Sequence, residues 1–263
     1  MNIGLIGTGN MAQFLLEAIH GENDRNADFH VVSLYGRNEK SGAELAASYH
    51  TDFYGNIDDF LSSPIDVVIE VATVQAAKAF SEKVLDRGKD LFLSSVGVMS
   101  DLAFYERVQS IATQNEANIY LPSGAIGGID MIKSSNSLGG LKAVSITTIK
   151  SPKSLGLDES MEKEMIVFEG KAKEAIDTFP KNVNVSIILS LTGIGADLTN
   201  VTIVADPNVK RNTHTIEATG TFGKFHLTIE NEPMPTNPKT SYLAALSILS
   251  LLQNKDQAVK LGN

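Results

Sequence analysis

Two glycines near the start of the chain, Gly7 and Gly9, have the spacing of a phosphate-binding turn, with Ala12 three residues further on. Residues 2–6 form a short apolar run that predicts a buried strand, and residues 11–20 carry apolar side chains at helical spacing. Between a strand and a helix, the pattern G-x-G-x-x-A indicates dinucleotide binding, because it permits a tight turn and a close approach of the pyrophosphate to the backbone. The residues of this turn that we predict to bind the dinucleotide are Gly7, Gly9, Asn10 and Met11.

The end of the second predicted strand, residues 29–34, bears on which dinucleotide is bound. In sites that prefer NAD, this strand ends in an acidic residue that accepts a hydrogen bond from the ribose 2′-hydroxyl. Arg37 stands there instead, with Asn38 and Lys40 nearby. A cation suits the 2′-phosphate of NADP, so Arg37 is a candidate cofactor-binding residue. The alternative is an ordinary arginine of a solvated loop.

His214 is the candidate for proton transfer among five histidines. It follows the polar loop 206–208, lies beside Arg211 and Asn212, and stands at the start of a predicted strand. An imidazole in such a place can face a cleft and pass a proton near neutral pH. The spacing alone leaves open an exposed strand histidine without a catalytic role. His226 alternates within another predicted strand and lacks this polar company.

Other polar side chains allow both a binding and a structural interpretation. Residues 182–184 are either an ordinary asparagine turn or, with Asn184, a pair of amide groups that face a polar ligand. Lys150, Arg211 and Lys239 are candidates to balance a substrate carboxylate. Taken alone, each of these cations is more readily interpreted as a surface residue, since such side chains are rarely buried.

Composition excludes several functional classes. A net charge of −9 over 263 residues argues against a nucleic-acid surface, and the absence of cysteine excludes disulfides and thiolate catalysis. We find no His/Glu cluster at metal-ligand spacing and predict no metal site. No apolar run reaches about 18 residues, so we expect no membrane span. The first residues lack the pattern of a secretory signal, and we expect a cytoplasmic protein.

Strands and helices alternate through residue 121, which predicts a parallel, doubly wound sheet. Ala72 follows the apolar run 66–71 and would lie at the carboxyl end of a central strand, where ligands bind in such sheets, so it joins the candidate cofactor-binding residues. The further predicted strands are 90–94 and 118–121, and the predicted helices after the first are 41–49, 58–61, 74–87 and 102–115.

The pattern changes at the glycine-rich segment 122–128 and becomes rich in strands after residue 141, with an apolar run at 186–191. We therefore predict an α/β fold with a Rossmann dinucleotide-binding domain, residues 1–121 plus 240–263, and an inserted α+β domain, residues 122–239. The family resemblance described below implies that this inserted domain is the substrate and dimerisation domain. The predicted elements after residue 128 are helices 129–135 and 240–252 and strands 144–150, 200–205, 213–219 and 223–230.

Over nearly its whole length the chain resembles the L-aspartate dehydrogenase family. The nucleotide loop at 7–12 is shared with many dehydrogenases, whereas the four C-terminal segments, in this order, are specific to the family. The segments that carry the resemblance are GTGNMA (7–12), LPSGAIGGID (121–130), FPKNVNV (179–185), ADP (205–207), RNTHTI (211–216) and NPKTS (237–241).

The resemblance implies an activity and roles for three residues. His214 takes the position of the family's catalytic histidine, and Ala125 and Asn184 fall on positions that contact the nicotinamide cofactor. The implied reaction transfers a hydride from Cα of L-aspartate to NAD or NADP and gives iminoaspartate, which feeds NAD synthesis. In reverse, oxaloacetate and ammonia would be reductively aminated. We expect a homodimer acting on small molecules.

Two alternatives remain at this stage. One is a related oxidoreductase that resembles homoserine dehydrogenase or dihydrodipicolinate reductase. The other is a regulator that binds NAD(P) without catalysis. A substrate screen for reduced cofactor would separate the first alternative, and nucleotide binding without turnover would favour the second.

Overall fold

The computed structural model describes residues 1–21, 26–179, 183–235 and 237–259, apart from the side chains of 238 and 239. Contacts divide the chain into two compact units. The first is Met1–Pro122 with Ile248–Gln257, and the second is Ser123–Ser247 with Ala258 and Val259. Within the described residues, no helix is long and apolar enough to cross a membrane.

The first unit is built on a six-stranded parallel sheet in the order β3-β2-β1-β4-β5-β6. The first strand pairs in parallel with both β2 and β4, so the direction of winding reverses beside it. In doubly wound sheets, ligands bind at the carboxyl ends of the strands that flank this reversal. The strands are β1 (Asn2–Ile6), β2 (His30–Tyr35), β3 (Asp52–Tyr54), β4 (Val67–Glu70), β5 (Asp90–Leu93) and β6 (Ile119–Tyr120).

Helices connect these strands, and their first turns differ in one respect. Asparagine, threonine or aspartate side chains cap α2 to α5 by accepting a hydrogen bond from a first-turn N–H group, whereas α1 begins after Gly9, which has no side chain to do so. The helices are α1 (Asn10–His20), α2 (Glu39–Ser48), α3 (Ile57–Ser62), α4 (Val74–Asp86) and α5 (Leu102–Gln114), with a 3-10 turn at Val96–Ser100.

The core of the first unit lies between β1, its neighbours and α1. Leu5 and Leu16 are fully buried there, and Ile248 and Leu252 from the last helix, α10 (Tyr242–Asn254), belong to the same cluster. This apolar burial holds α10 against the Rossmann sheet, as its apolar sequence predicts.

The second unit has a five-stranded mixed sheet in the order β11-β10-β7-β9-β8. Its central strand is antiparallel to β10 and parallel to β9, and β10 is also antiparallel to β11. A two-stranded pair stands beside this sheet. The strands are β7 (Leu141–Lys150), β8 (Met165–Lys171), β9 (Asn200–Ala205), β10 (Asn212–Gly220), β11 (Gly223–Asn231), β12 (Pro233–Met234) and β13 (Asn237–Ser241), and the helices are α6 (Ile129–Asn136), α7 (Pro152–Leu155), α8 (Ala172–Thr178) and α9 (Asn184–Thr192).

Residues 240–247, which the sequence analysis assigned to the first domain, belong to the second unit. The reason is local: β13 pairs with β12, the N–H of Tyr242 donates to the carbonyl of Glu232, and the hydroxyl of Ser247 accepts from the N–H of Gly124. Thus α10 begins in the second unit and ends in the first.

Elements absent from the sequence prediction have weak patterns. The strand β8 has no buried residue and lacks clean alternation, and β3 has only three residues, too few to show a period. The apolar run 186–191 lies in α9, whose residues Val185–Ser190 are all buried. A continuously buried run has no period, so sequence alone does not distinguish a helix from a strand there.

Candidate active site

Gly7 forms the turn after β1, and only glycine fits there. Its φ is +127°, and a Cβ on it would lie 2.9 Å from the carbonyl oxygen of Val71. Its N–H donates to the carbonyl of Tyr35 at 2.9 Å. The turn is therefore held between the ends of β2 and β4, at the reversal point of the sheet.

Gly9 has a different reason to be glycine. Its backbone is extended, with φ −88° and ψ −170°, and a Cβ on it would meet nothing within 4 Å. The protein therefore leaves space in front of the first turn of α1, which carries no acidic residue. A pyrophosphate fits this place, because there is space for it, the helix end is positive and the first turn has no carboxylate to repel it.

The other predicted residues of this site follow the same edge of the sheet. Asn10 is exposed and Met11 half-buried in the first turn of α1, Ala72 is exposed after β4, and Arg37 is exposed after β2. Asn38 has a structural role, because its Oδ1 caps α2 by accepting a hydrogen bond from the N–H of Ser41 at 3.1 Å. Arg37, exposed after β2, is not part of such a cap.

His214 is buried, with 3% of its surface exposed, so the alternative of an exposed strand histidine is wrong. It lies opposite Thr148 in the pairing of β10 with β7, and the histidine Nδ1 is 2.9 Å from the threonine hydroxyl. This contact orients the ring and occupies Nδ1, so a proton exchange by this side chain would take place at Nε2.

Burial and the nearby charge of Lys150 lower the pKa of His214 to about 3. Burial also lowers the pKa of Lys150 to about 8. The histidine is therefore neutral at physiological pH while the lysine is mostly charged. A neutral imidazole beside a partly buried ammonium group can receive a proton while the ammonium attracts a carboxylate.

The other predicted cations are placed differently. The Arg211 guanidinium bonds to the carboxylate of Glu232 through Nε at 2.5 Å, with Glu230 at 3.5 Å, and the arginine is exposed. Its expected role with a substrate carboxylate is not supported, since two acidic neighbours already balance its charge. The side chain of Lys239 lies outside the described residues.

A network missed by the sequence analysis holds Ala125. The Nδ2 of Asn231 donates to the carbonyl of Ala125 at 3.0 Å and to that of Asn212 at 3.3 Å, and its Oδ1 accepts from the hydroxyl of Ser241 at 2.5 Å. Asn231 is 3% exposed. It ties the glycine-rich segment after β6 to the strand that carries His214.

Asn184 is exposed at the first residue of α9. The neighbouring Asn182 lies outside the described residues, so the predicted pair of amide groups is not placed.

His226 does have a polar neighbour, contrary to the sequence prediction, because its Nδ1 contacts the Glu217 carboxylate at 2.9 Å. Within the described parts of the chain, no group of three or more metal-ligating side chains is positioned to hold a metal ion.

Comparison with known proteins shows the family of this chain. Residues 7–122 match the family model "Homoserine dehydrogenase, NAD binding domain", and residues 130–255 match "Aspartate dehydrogenase, C-terminal". The L-aspartate dehydrogenase of Methanospirillum hungatei is 38% identical over 266 residues, covering all of both chains. The chain belongs to the L-aspartate dehydrogenase family. The family member of Nitrosopumilus maritimus is 40% identical over 95% of each chain.

Solved structures agree with the family assignment. The crystal structure of aspartate dehydrogenase from Thermotoga maritima is 31% identical, with a TM-score of 0.79, and covers 100% of this chain and 99% of its own. A homoserine dehydrogenase from Thiobacillus denitrificans covers 97% of this chain and 72% of its own at 14% identity and a TM-score of 0.66, a likeness of fold alone. The resemblance to L-aspartate dehydrogenases and the use of NAD or NADP are thereby confirmed.

Proposed function

We propose that this chain oxidises L-aspartate to iminoaspartate with NAD or NADP, and in reverse aminates oxaloacetate with ammonia. The observation that carries the proposal is the buried pair of His214 and Thr148, which lies in the region matched by the aspartate dehydrogenase family model. The nicotinamide cofactor, when bound, accepts the hydride from Cα of the substrate. The chain itself supplies binding, orientation and proton transfer.

Nε2 of His214 exchanges a proton with the substrate amine, or with the carbinolamine oxygen in reverse. Its low pKa in the ligand-free protein arises from burial and from the charge of Lys150. A bound dicarboxylate offsets that charge and raises the pKa of the imidazole toward the range useful for acid–base catalysis. Thr148 keeps the ring oriented throughout.

The cofactor-binding residues in the proposal are those predicted from the sequence. Gly7, Gly9, Asn10 and Met11 receive the pyrophosphate, and Arg37 meets the adenosine ribose. Ala72, Ala125 and Asn184 are the remaining cofactor-binding residues of the proposal, and Asn231 holds the carbonyl of Ala125.

NADP is expected to bind at least as well as NAD. Arg37→Ala should weaken NADP roughly 10- to 100-fold and NAD much less, because a charge-assisted bond to the 2′-phosphate is lost. Calorimetric titration of both cofactors measures this, with Lys142→Ala, an exposed lysine of β7, as the control. Equal losses for the two cofactors would show that Arg37 does not recognise the phosphate.

Lys150 is proposed to bind a substrate carboxylate. Lys150→Met should raise KM for L-aspartate roughly tenfold or more, with an unchanged Kd for NADPH, since a paired charge is lost. The pKa of Lys150 near 8 means that the charged form is lost as pH rises, so KM should increase above about pH 8. That increase should vanish in Lys150→Met and persist in Lys142→Met, an exposed control on the same strand. A KM for L-aspartate unaltered by Lys150→Met would remove this role.

A homodimer is proposed from the sheet of the second unit. Along β7, Val144, Ile146 and Thr148 are buried, whereas the alternate residues Thr147 and Ile149 remain partly exposed. A second copy packing on these alternate positions would cover them. Sedimentation should then give a mass of about twice 28.2 kDa.

The proposed reaction leads to a proposal for the location and metabolic role of the protein. We propose a cytoplasmic enzyme whose product, iminoaspartate, supplies NAD synthesis. The direct test is reduced-cofactor formation with a panel of substrates, L-aspartate and L-homoserine foremost, and each cofactor. Turnover with L-homoserine and none with L-aspartate would support the homoserine-dehydrogenase-like alternative. Cofactor binding without turnover of any substrate would support the regulator.

A further inference from the structure

Glu70, the last residue of β4, is a buried acid that the proposed reaction does not use. It is 1% exposed. Its Oε1 accepts from the N–H of Ala72 at 2.8 Å and from the hydroxyl of Ser95 at 2.9 Å, and its Oε2 accepts from the N–H of Ser95 at 3.0 Å. Burial raises the pKa of this carboxyl, and these hydrogen bonds together with the N–H of Thr73 oppose the rise.

The carboxylate joins two loops at one edge of the sheet. Ala72 follows β4 and Ser95 follows β5, which are adjacent parallel strands. The same Val71–Ala72 segment packs against Gly7, because the Val71 carbonyl fills the space where a Cβ of Gly7 would stand. Contacts therefore connect the loops after β1, β4 and β5, and Glu70 bonds to the loops after β4 and β5.

The cofactor must cross this surface in a defined direction. Its pyrophosphate lies at the start of α1, and the residue that recognises the adenosine ribose follows β2 in this type of fold. The other half of the dinucleotide then passes over the opposite side of the reversal point, above the ends of β4 and β5.

We propose that Glu70 is a positioning residue for the nicotinamide half of the cofactor. Its hydrogen bonds hold the loops of Ala72 and Ser95 in the conformation that binds this half. This inference rests on the proposed placement of the dinucleotide at Gly7 and Gly9. Glu70 accepts every one of its hydrogen bonds, so an ionised carboxylate suits the position. A glutamine would turn an NH2 group toward an N–H or O–H donor and misplace one loop.

The test is binding of NADPH and of adenosine 2′,5′-bisphosphate, which lacks the nicotinamide half. Glu70→Gln should raise the Kd for NADPH about tenfold and leave the Kd for the bisphosphate within about twofold of the wild type, because one buried donor is mispaired on the nicotinamide side only. Glu44→Gln, an exposed acid on α2, is the matched control. Ser95→Ala, which removes one donor and keeps the N–H, should shift NADPH in the same direction by a smaller factor.

The outcomes distinguish the role of Glu70 from the placement of the dinucleotide on which that role depends. Equal losses for both ligands would show that Glu70 merely maintains the domain, and an unchanged Kd for NADPH would show that it does not position the cofactor; either overturns the inference. If Glu70→Gln does not fold, Ser95→Ala decides by the same comparison. If the wild-type protein binds NADPH but Gly9→Val binds it equally well, the placement of the dinucleotide itself is wrong.

Discussion

His214→Ala is expected to lower turnover with L-aspartate by about 10²- to 10⁴-fold, the usual contribution of a general acid–base group. The histidine is buried, neutral and fixed by Thr148, so its loss removes an oriented proton acceptor rather than a surface side chain. Steady-state kinetics measure the effect. The Kd for NADPH should change little, because His214 and the glycine turn belong to different units.

Two controls distinguish chemistry from stability. His226→Ala removes an exposed histidine from the neighbouring strand β11 and should be mild, although its contact with Glu217 is lost. His214→Asn can retain a hydrogen bond to Thr148 but cannot accept a proton near neutral pH, so it should be nearly as inactive as the alanine variant while melting closer to the wild type. Near-normal turnover in a folded His214→Asn protein would contradict the proposed mechanism.

Gly9→Val is expected to weaken NADPH binding by at least about 100-fold while leaving the fold intact. The extended backbone of Gly9 tolerates valine, and a Cβ there meets no protein atom within 4 Å. The same side chain occupies the space in front of α1 and displaces the pyrophosphate from the helix N–H groups. Losing two charge-assisted hydrogen bonds, each worth about 1.5–3 kcal/mol, accounts for this factor.

Calorimetric titration and thermal melting together test the Gly9 prediction. Gly7→Ala is the informative comparison, because the positive φ of Gly7 and the Val71 carbonyl 2.9 Å from its Cβ position predict a loss of stability. Gly9→Val should therefore melt near the wild type, and Gly7→Ala should melt lower. Unchanged NADPH affinity in Gly9→Val would refute the assignment of the phosphate site.

Local patterns predicted the parts of this protein that depend on local physics. The turn at Gly7 and Gly9 is recognisable because its backbone conformation depends on a few consecutive residues. The alternation of strands and helices was sufficient to predict the parallel sheet. The family resemblance identified His214 as the catalytic candidate. The burial of His214 depends on which face of the second sheet is covered, and the alternation of residues along a strand does not indicate the covered face.

Long-range side-chain contacts were beyond prediction from one sequence. Asn231 bonds to Ala125 across 106 positions, and Arg211 is neutralised by Glu232 across 21. Glu70 lies inside the apolar run 66–71 with no motif around it, so only the structure shows its bonds to both loops. In each case, the decisive fact was the partner, and the partner is set by the fold.

The central claim is that the chain moves a hydride from Cα of L-aspartate to a nicotinamide cofactor, and isotope transfer tests it most directly. The protein is incubated with L-[2-²H]aspartate and NADP⁺, and the reduced cofactor is analysed by mass spectrometry and NMR. The account predicts one deuterium at C4 of NADPH, formed in equal amount to ammonia, and none with His214→Asn above a slow background. Reduced cofactor without deuterium, or no reduction with either NADP⁺ or NAD⁺, would contradict it.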